Sequence, residues 1–306
     1  MANLARYLNP EVIQQVQRLD LRARFIVEGF LAGLHRSPFQ GLSVEFAEHR
    51  KYVHGDDLRT IDWNVYARTD RLFVRKYAAE THLACHLIVD SSSSMGYVGP
   101  AEQAADAATH ATKLDYAVHL AAALGYLVTR QQDAIGLAIV NEALVTQLPP
   151  RSRRSDLVHL LSTLSSVAPS GGTGLASAIH AVLARIPHRG VIVLLSDLLT
   201  DTAGVLEATQ HIRFRGHDLI VMHVLDAAEV RLPMDGAVRL EDPESGETID
   251  VDADGVRESY EAAVAAWRDE LRTRISAIKG DYVPLDTSIP FDKALVEFLT
   301  QRSKRR

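Results

Sequence analysis

Residues 86–95, His-Leu-Ile-Val-Asp-Ser-Ser-Ser-Ser-Met, constrain the fold more than any other stretch of the chain. A short apolar run drives straight into an acid and a row of hydroxyls. A run of this length, apolar at successive positions, suits a strand buried on both faces of a sheet. Such a strand presents the carboxylate of Asp90 and the hydroxyls of Ser92 and Ser94 at its carboxyl edge. In an open parallel α/β sheet, ligands bind outside the carboxyl ends of the strands. Carboxylate and hydroxyl oxygens are hard donors, suited to Mg2+ or Mn2+ and poorly suited to zinc or copper. Two later stretches add oxygens of the same kind. One is Gly171-Gly172-Thr173-Gly174; the other is Ser196-Asp197, which closes the apolar run 191–195.

The rest of the chain alternates in a way that supports such a sheet. Strands are expected at 82–89, 134–140, 143–148, 191–195, 218–225 and 282–285. Helices are expected at 114–127, 157–164, 175–186, 205–214, 258–278 and 291–299, and residues 10–33 keep a helical spacing after the Asn9-Pro10 start. Strands alternating with helices argue for a mostly parallel sheet covered on both faces. Asn141-Glu142 joins two strands as a hairpin, which adds one antiparallel edge strand. A second hairpin is expected around the turn Asp242-Pro243-Glu244-Ser245-Gly246.

Residues 35–78 mix acids, arginines and aromatics without a clear period, so a structured loop is expected there, ending in a strand at 72–77. Two readings of its charges stay open. Asp56, Asp57 and Asp62 can pair with Arg50, Arg59 and Arg68 in a structural network, or they can form a docking or catalytic loop.

The order Asp90, Ser92, Ser94, then Thr173, then Asp197 resembles the metal-ion-dependent adhesion site of a von Willebrand factor A-type domain. The segment before it runs Gly41-x-Ser43-x-Glu45-Phe46, then Arg50-x-Tyr52-x-x-Gly55-Asp56-Asp57-x-Arg59-x-Ile61-Asp62-Trp63, then Ala67-Arg68. That spaced motif resembles the bacterial family catalogued as domain of unknown function 58. The resemblance implies a von Willebrand factor A-like (Rossmann-like) α/β fold behind a family-specific N-terminal region. The expected division is 1–80 for that region and 81–306 for the A-like domain, with a hairpin insertion at about 227–253. It also implies roles. Ser92 and Ser94 would bind Mg2+ or Mn2+ directly, Thr173 directly or through water, and Asp90 and Asp197 mostly through water. The remaining position would take an acidic side chain from a protein partner. Members of the family are often paired with MoxR-type AAA+ ATPases, so the implied function is a metal-dependent interaction module acting as adaptor or substrate-presenting partner of such an ATPase.

Composition excludes several other classes. A net charge of -6 over 306 residues argues against a general nucleic-acid binder. No run reaches the roughly 18 apolar residues of a membrane span, and the first residues lack a signal-peptide core, so a soluble cytoplasmic protein without membrane insertion is expected. The single cysteine, Cys85, lies within an apolar strand and is expected to pack rather than react.

Enzyme chemistry finds little support. A dehalogenase-like phosphatase needs a second acid at position 92, where Ser92 stands, and no Gly-x-Ser-x-Gly surrounds Ser92. The 171–174 loop lacks the lysine of a phosphate-binding loop. No catalytic residue is therefore expected. A metal-dependent hydrolase, or a scaffold with an empty metal site, is the alternative. Residues 250–261 match the EF-hand calcium pattern, but a strand precedes them and Arg257 breaks it, so a polar turn is expected, with Asp254 capping the long helix.

Overall fold

The computed structural model describes residues 44–52, 61–79, 84–100 and 111–289. The expected helices at 10–33 and 291–299, Asp56, Asp57 and Arg59, and the first two residues of the strand expected at 82–89 lie outside the described residues. The chain divides into two compact units, one spanning Leu34–His82 and the other taking in the chain from Leu83 onward.

In the smaller unit, β1 (Val44–Lys51) and β2 (Phe73–Ala79) form a two-stranded antiparallel sheet, with helix α1 (Trp63–Thr69) between them in sequence. This corrects the loop expected over 35–78. Phe46 lies opposite Tyr77 and Lys51 opposite Phe73, with a bulge between Phe46 and Glu48. A partner strand some way along the chain imposes extended backbone where the local pattern has no period. Asp62 is buried, and its carboxylate accepts the Val65 N–H at 3.3 Å, starting α1. That is a structural role for one acid of the motif.

The larger unit is built on six strands: β3 (Ala84–Asp90), β4 (Ile135–Val140), β5 (Leu144–Arg151), β6 (Gly190–Ser196), β7 (Asp218–Leu225) and β10 (Asp281–Asp286). Their order across the sheet is β10-β7-β6-β3-β4-β5, all parallel except β5, which runs antiparallel to β4 at the edge. The helices are α2 (Lys113–Arg130), α3 (Arg154–Ser165), α4 (Leu175–Ala184), α5 (Thr202–Phe214), the short α6 (Ala227–Arg231) and α7 (Ala253–Ala277). Strands β8 (Ala237–Glu241) and β9 (Thr248–Asp252) form a separate hairpin.

Burial explains the strand sequences. Ile88, Ala138, Ile192, Leu194 and Val221 point to one face, under α4, α5 and α7. Leu87, Leu137, Val193 and Ile220 point the other way and are equally buried, with α2 covering that face. A sheet covered on both sides favours apolar residues on both faces, which is why these strands read as near-continuous apolar runs, broken by the buried His86 of β3 and His223 of β7. After β3 the chain moves outward through β4 and β5, then returns to the other side of β3 as β6, β7 and β10. The reversal falls between β3 and β6, and their carboxyl ends carry Asp90 and Asp197. A crevice at that point is where open α/β sheets bind ligands. No helix among the described residues is long and apolar enough to cross a membrane.

Candidate metal centre

Asp90 closes β3 and is fully buried. One carboxylate oxygen accepts the Ser92 N–H at 3.0 Å, and the other accepts the Ser196 hydroxyl at 2.6 Å. Burial, and then the negative charge of Asp197, pushes the Asp90 carboxyl up from 3.8 to about 6. Ser92 leads into a 3-10 turn, Ser93–Gly96, but its hydroxyl does not cap that turn. Its Oγ instead lies 3.0 Å from Ser94 Oγ.

The glycine loop is laced to the same edge. Ser170 N–H donates to Ser91 C=O, and Ser93 N–H donates to Gly171 C=O, both at 2.9 Å. Gly171 takes a φ of +73°, which a side chain disfavours. A Cβ on Gly174 would lie 2.1 Å from the Glu142 carbonyl oxygen, so only glycine fits there. Thr173 is held from outside the loop. Its hydroxyl donates to Glu244 Oε1 at 2.5 Å and its N–H to Glu244 Oε2 at 2.8 Å. Next to it, Gly172 N–H donates to Glu142 Oε1 at 2.8 Å.

Asp197 follows β6 and is also fully buried. Its Oδ1 accepts Leu199 N–H at 3.1 Å, so it closes a turn and does not cap a helix; Asp201 caps α5. Its Oδ2 takes the buried Lys113 ammonium at 2.7 Å, and that ammonium also reaches Glu229 Oε1 at 2.5 Å. Burial alone would lower the Lys113 pKa, but the two carboxylates outweigh it and raise it, so the ammonium stays charged. Behind Asp197, His223 Nε2 lies 2.7 Å from the Asp197 carbonyl and Nδ1 lies 2.5 Å from the Tyr282 hydroxyl. A carbonyl only accepts, so the hydrogen sits on Nε2 and Tyr282 donates to Nδ1.

These residues fit a hard divalent ion in part. The buried Asp90 carboxylate faces a second acid, and no cation pairs with it among the described residues. Two oxygens bound side by side on an octahedral ion at about 2.1 Å are about 3 Å apart. The Ser92 and Ser94 hydroxyls already have that spacing. Thr173 and Asp197 are brought to the same edge, but the first is engaged by Glu244 and the second by Lys113. Among the described residues, no three His, Cys, Asp or Glu side chains converge as a cage, so the oxygens on offer are largely hydroxyls.

As site residues, Lys113, Glu229, Glu142 and Glu244 escape the sequence reading, whereas Ser196 is expected there with Asp197. Lys113 carried a signal, being a lone cation at the head of an otherwise buried apolar helix. So did Asp226-x-x-Glu229, a capping-box pattern, and α6 does begin with that box. Other expectations resolve simply. Burial, and then Asp133, raises the Cys85 thiol to about 12, which keeps it inert. The calcium-like stretch forms β9 and the first turn of α7. The helix begins at Ala253, not near 258, and Asp252 rather than Asp254 stands at its N-cap. Asp254 lies in the first turn and accepts Gly236 N–H at 2.9 Å.

Strand order and the oxygen-rich crevice define an α/β domain of von Willebrand factor A-like architecture. The chain belongs to the family described as protein of unknown function DUF58, whose profile matches residues 48–270. It is 31% identical over 300 residues to the uncharacterized protein Rv1480 of Mycobacterium tuberculosis, covering 97% of this chain and 91% of that one. Among solved structures, it is similar to the conserved hypothetical protein BatB from Bacteroides thetaiotaomicron, at 22% identity and TM-score 0.46, over 72% of this chain and 99% of that one. It is also similar to the SpRpn10 VWA domain, at 12% identity and TM-score 0.40, over 71% of this chain and 94% of that one.

Proposed function

We propose that this chain is a non-enzymatic protein-interaction module whose binding face is the carboxyl edge around Asp90. Asp90, Ser92 and Ser94 hold a Mg2+ or Mn2+ ion there, with Thr173 and Asp197 completing its surroundings. The carrying observation is the pair of hydroxyls 3.0 Å apart beside a buried carboxylate that no cation pairs with among the described residues. The ion supplies an electrophilic centre that a partner's Glu or Asp can meet. The partner class is a MoxR-type AAA+ ATPase, or a client handed to one, as the family resemblance implies.

A second reading has its own support. The Lys113 ammonium already neutralises Asp197, as an ion-free scaffold would require. Binding of a purified MoxR-type ATPase, measured in Mg2+ and in EDTA, separates the two. Breaking a charge-assisted contact typically costs about 2–5 kcal/mol, roughly 30- to 4,000-fold in affinity. Asp90→Ala is expected to lose that much, and EDTA to reproduce the loss in the wild type while adding nothing in the variant. Thermal melts in EDTA and in Mg2+ are expected to differ by a few degrees, because a weakly held ion adds only RT ln(1 + [L]/Kd). Equal binding by wild type, variant and EDTA-treated protein would return the site to the scaffold reading.

A further inference from the structure

The β8–β9 hairpin ends in the turn Asp242-Pro243-Glu244-Ser245-Gly246, and this turn reaches the glycine loop, far from it in sequence. Glu244 meets Thr173 with both carboxylate oxygens, one on the N–H and one on the hydroxyl. Glu244 and Ser94 line the same cavity, so the Thr173 groups that Glu244 holds lie beside the proposed ion site. We propose that Glu244 is an acid supplied in cis to the carboxylate-accepting position, so that the hairpin gates the site and a partner's acidic side chain enters by displacing it. This rests on the reading of Asp90, Ser92 and Ser94 as an ion site.

Three features of the hairpin suit a gate. First, its turn is organised without help from the site. Asp242 accepts from Glu244 N–H at 2.9 Å, Ser245 hydroxyl at 2.6 Å and Gly246 N–H at 2.8 Å. Glu244 is therefore presented as part of a preformed unit, and the hairpin can lift without unfolding its turn.

Second, the hairpin is lightly anchored. It is a two-stranded sheet of its own, most of its residues are exposed or half-buried, and Ile249 is 61% exposed. A lone two-stranded hairpin is marginally stable, and elements of this kind open at low free energy. Beneath it lies a cavity of about 250 Å³ lined by Ser94, Tyr97, Leu240, Pro243 and Tyr260 among others, so it bridges the crevice without filling it.

Third, its base is a fixed point from which the hairpin can lift as a unit. Gly236, at a φ of +68° with open space around it, is tied to the start of α7 through its N–H, which donates to Asp254 at 2.9 Å, and its C=O, which accepts Ala253 N–H at 2.8 Å. A lifting hairpin would pivot beyond this anchored glycine, in the exposed strands.

The partner this gate fits is an acidic segment that outcompetes one carboxylate held in cis. Glu142 already takes the neighbouring Gly172 N–H, so Glu244 is the carboxylate whose release frees Thr173.

The test uses the full chain, Mn2+ and acetate, the simplest carboxylate. Water-proton relaxation reports the exchangeable water on bound Mn2+. In the wild type, acetate leaves the signal unchanged, because Glu244 holds the position. In Glu244→Ala, bound Mn2+ carries more exchangeable water and acetate displaces it. Glu244→Gln keeps the side chain's shape while losing the charge, and it responds to acetate in the same direction. Hydrogen exchange at the Thr173 amide quickens about tenfold or more in Glu244→Ala, as a lost bond to a charged acceptor requires. Equal acetate responses in wild type and Glu244→Ala would overturn the gate and leave the ion site standing. Mn2+ that fails to bind the wild type, or binds Asp90→Ala as tightly, would overturn the ion site itself.

Discussion

At the scale of single residues, Lys113 shows how the interior handles charge. Its ammonium is 0% exposed and lies against two carboxylates, Asp197 and Glu229. Removing one member of a buried ion pair strands the others, at about 3–5 kcal/mol. Lys113→Met is therefore expected to lower the unfolding free energy by that amount in urea titrations. A loss below about 1 kcal/mol would place the ammonium in a wetter site than its burial indicates. Neither partner is near in sequence: Asp197 is 84 residues away and Glu229 is 116. The lysine could be read as unusual from its apolar helix, but its purpose could not.

At the scale of elements, backbone contacts set where the glycine loop lies. The glycine loop before α4 is tied to the β4–β5 turn by Gly174 N–H on Asn141 C=O at 2.9 Å. A Cβ at Gly174 would fall 2.1 Å from the Glu142 oxygen and 2.7 Å from its carbonyl carbon, both backbone atoms that cannot rotate away. Gly174→Ala should separate the loop from that turn. A stability loss of about 1–3 kcal/mol is expected from such overpacking, with weaker Mn2+ binding because Thr173 moves. Urea unfolding and a Mn2+ titration on the same variant measure both. A change in stability alone would mean that Thr173 does not contribute to the ion site. The central parallel strands β3, β4, β6 and β7 were legible as near-continuous apolar runs, and the β8–β9 hairpin from its turn residues. Helix α6 was missed because five residues are too few to show a period. The smaller unit's β1 was missed because its pairing with β2 is non-local.

The whole molecule carries an acid liability in its sheet. His86 is 6% exposed on β3, with its ring near Gly136 of β4 and Gly190 of β6. Burial, and then the nearby His217, lowers its pKa from 6.5 to about 4. A lowered histidine pKa means the folded state binds fewer protons than the unfolded one. The stability tied to this neutral ring is thus complete above pH 6.5 and is lost as pH falls through 4. The 2.5 pH units between 6.5 and 4, at about 1.4 kcal/mol each, set a contribution of about 3 kcal/mol. Unfolding free energies between pH 8 and 4 should fall accordingly, and less steeply in His86→Gln. An unchanged slope in the variant would assign the acid limb to other groups. Sequence by itself determined the parallel sheet, its antiparallel edge and the acid-and-hydroxyl ends of β3 and β6. A strand buried on both faces is apolar along nearly all its length, His86 being the exception in β3, and its polar residues gather at the carboxyl edge where ligands bind. Only the tertiary structure decided that Asp197 is paired with Lys113 and that Thr173 is covered by Glu244, 71 residues away. Those pairings depend on how helices and a hairpin pack back over the sheet, and local periodicity carries no record of which distant charges that packing brings together.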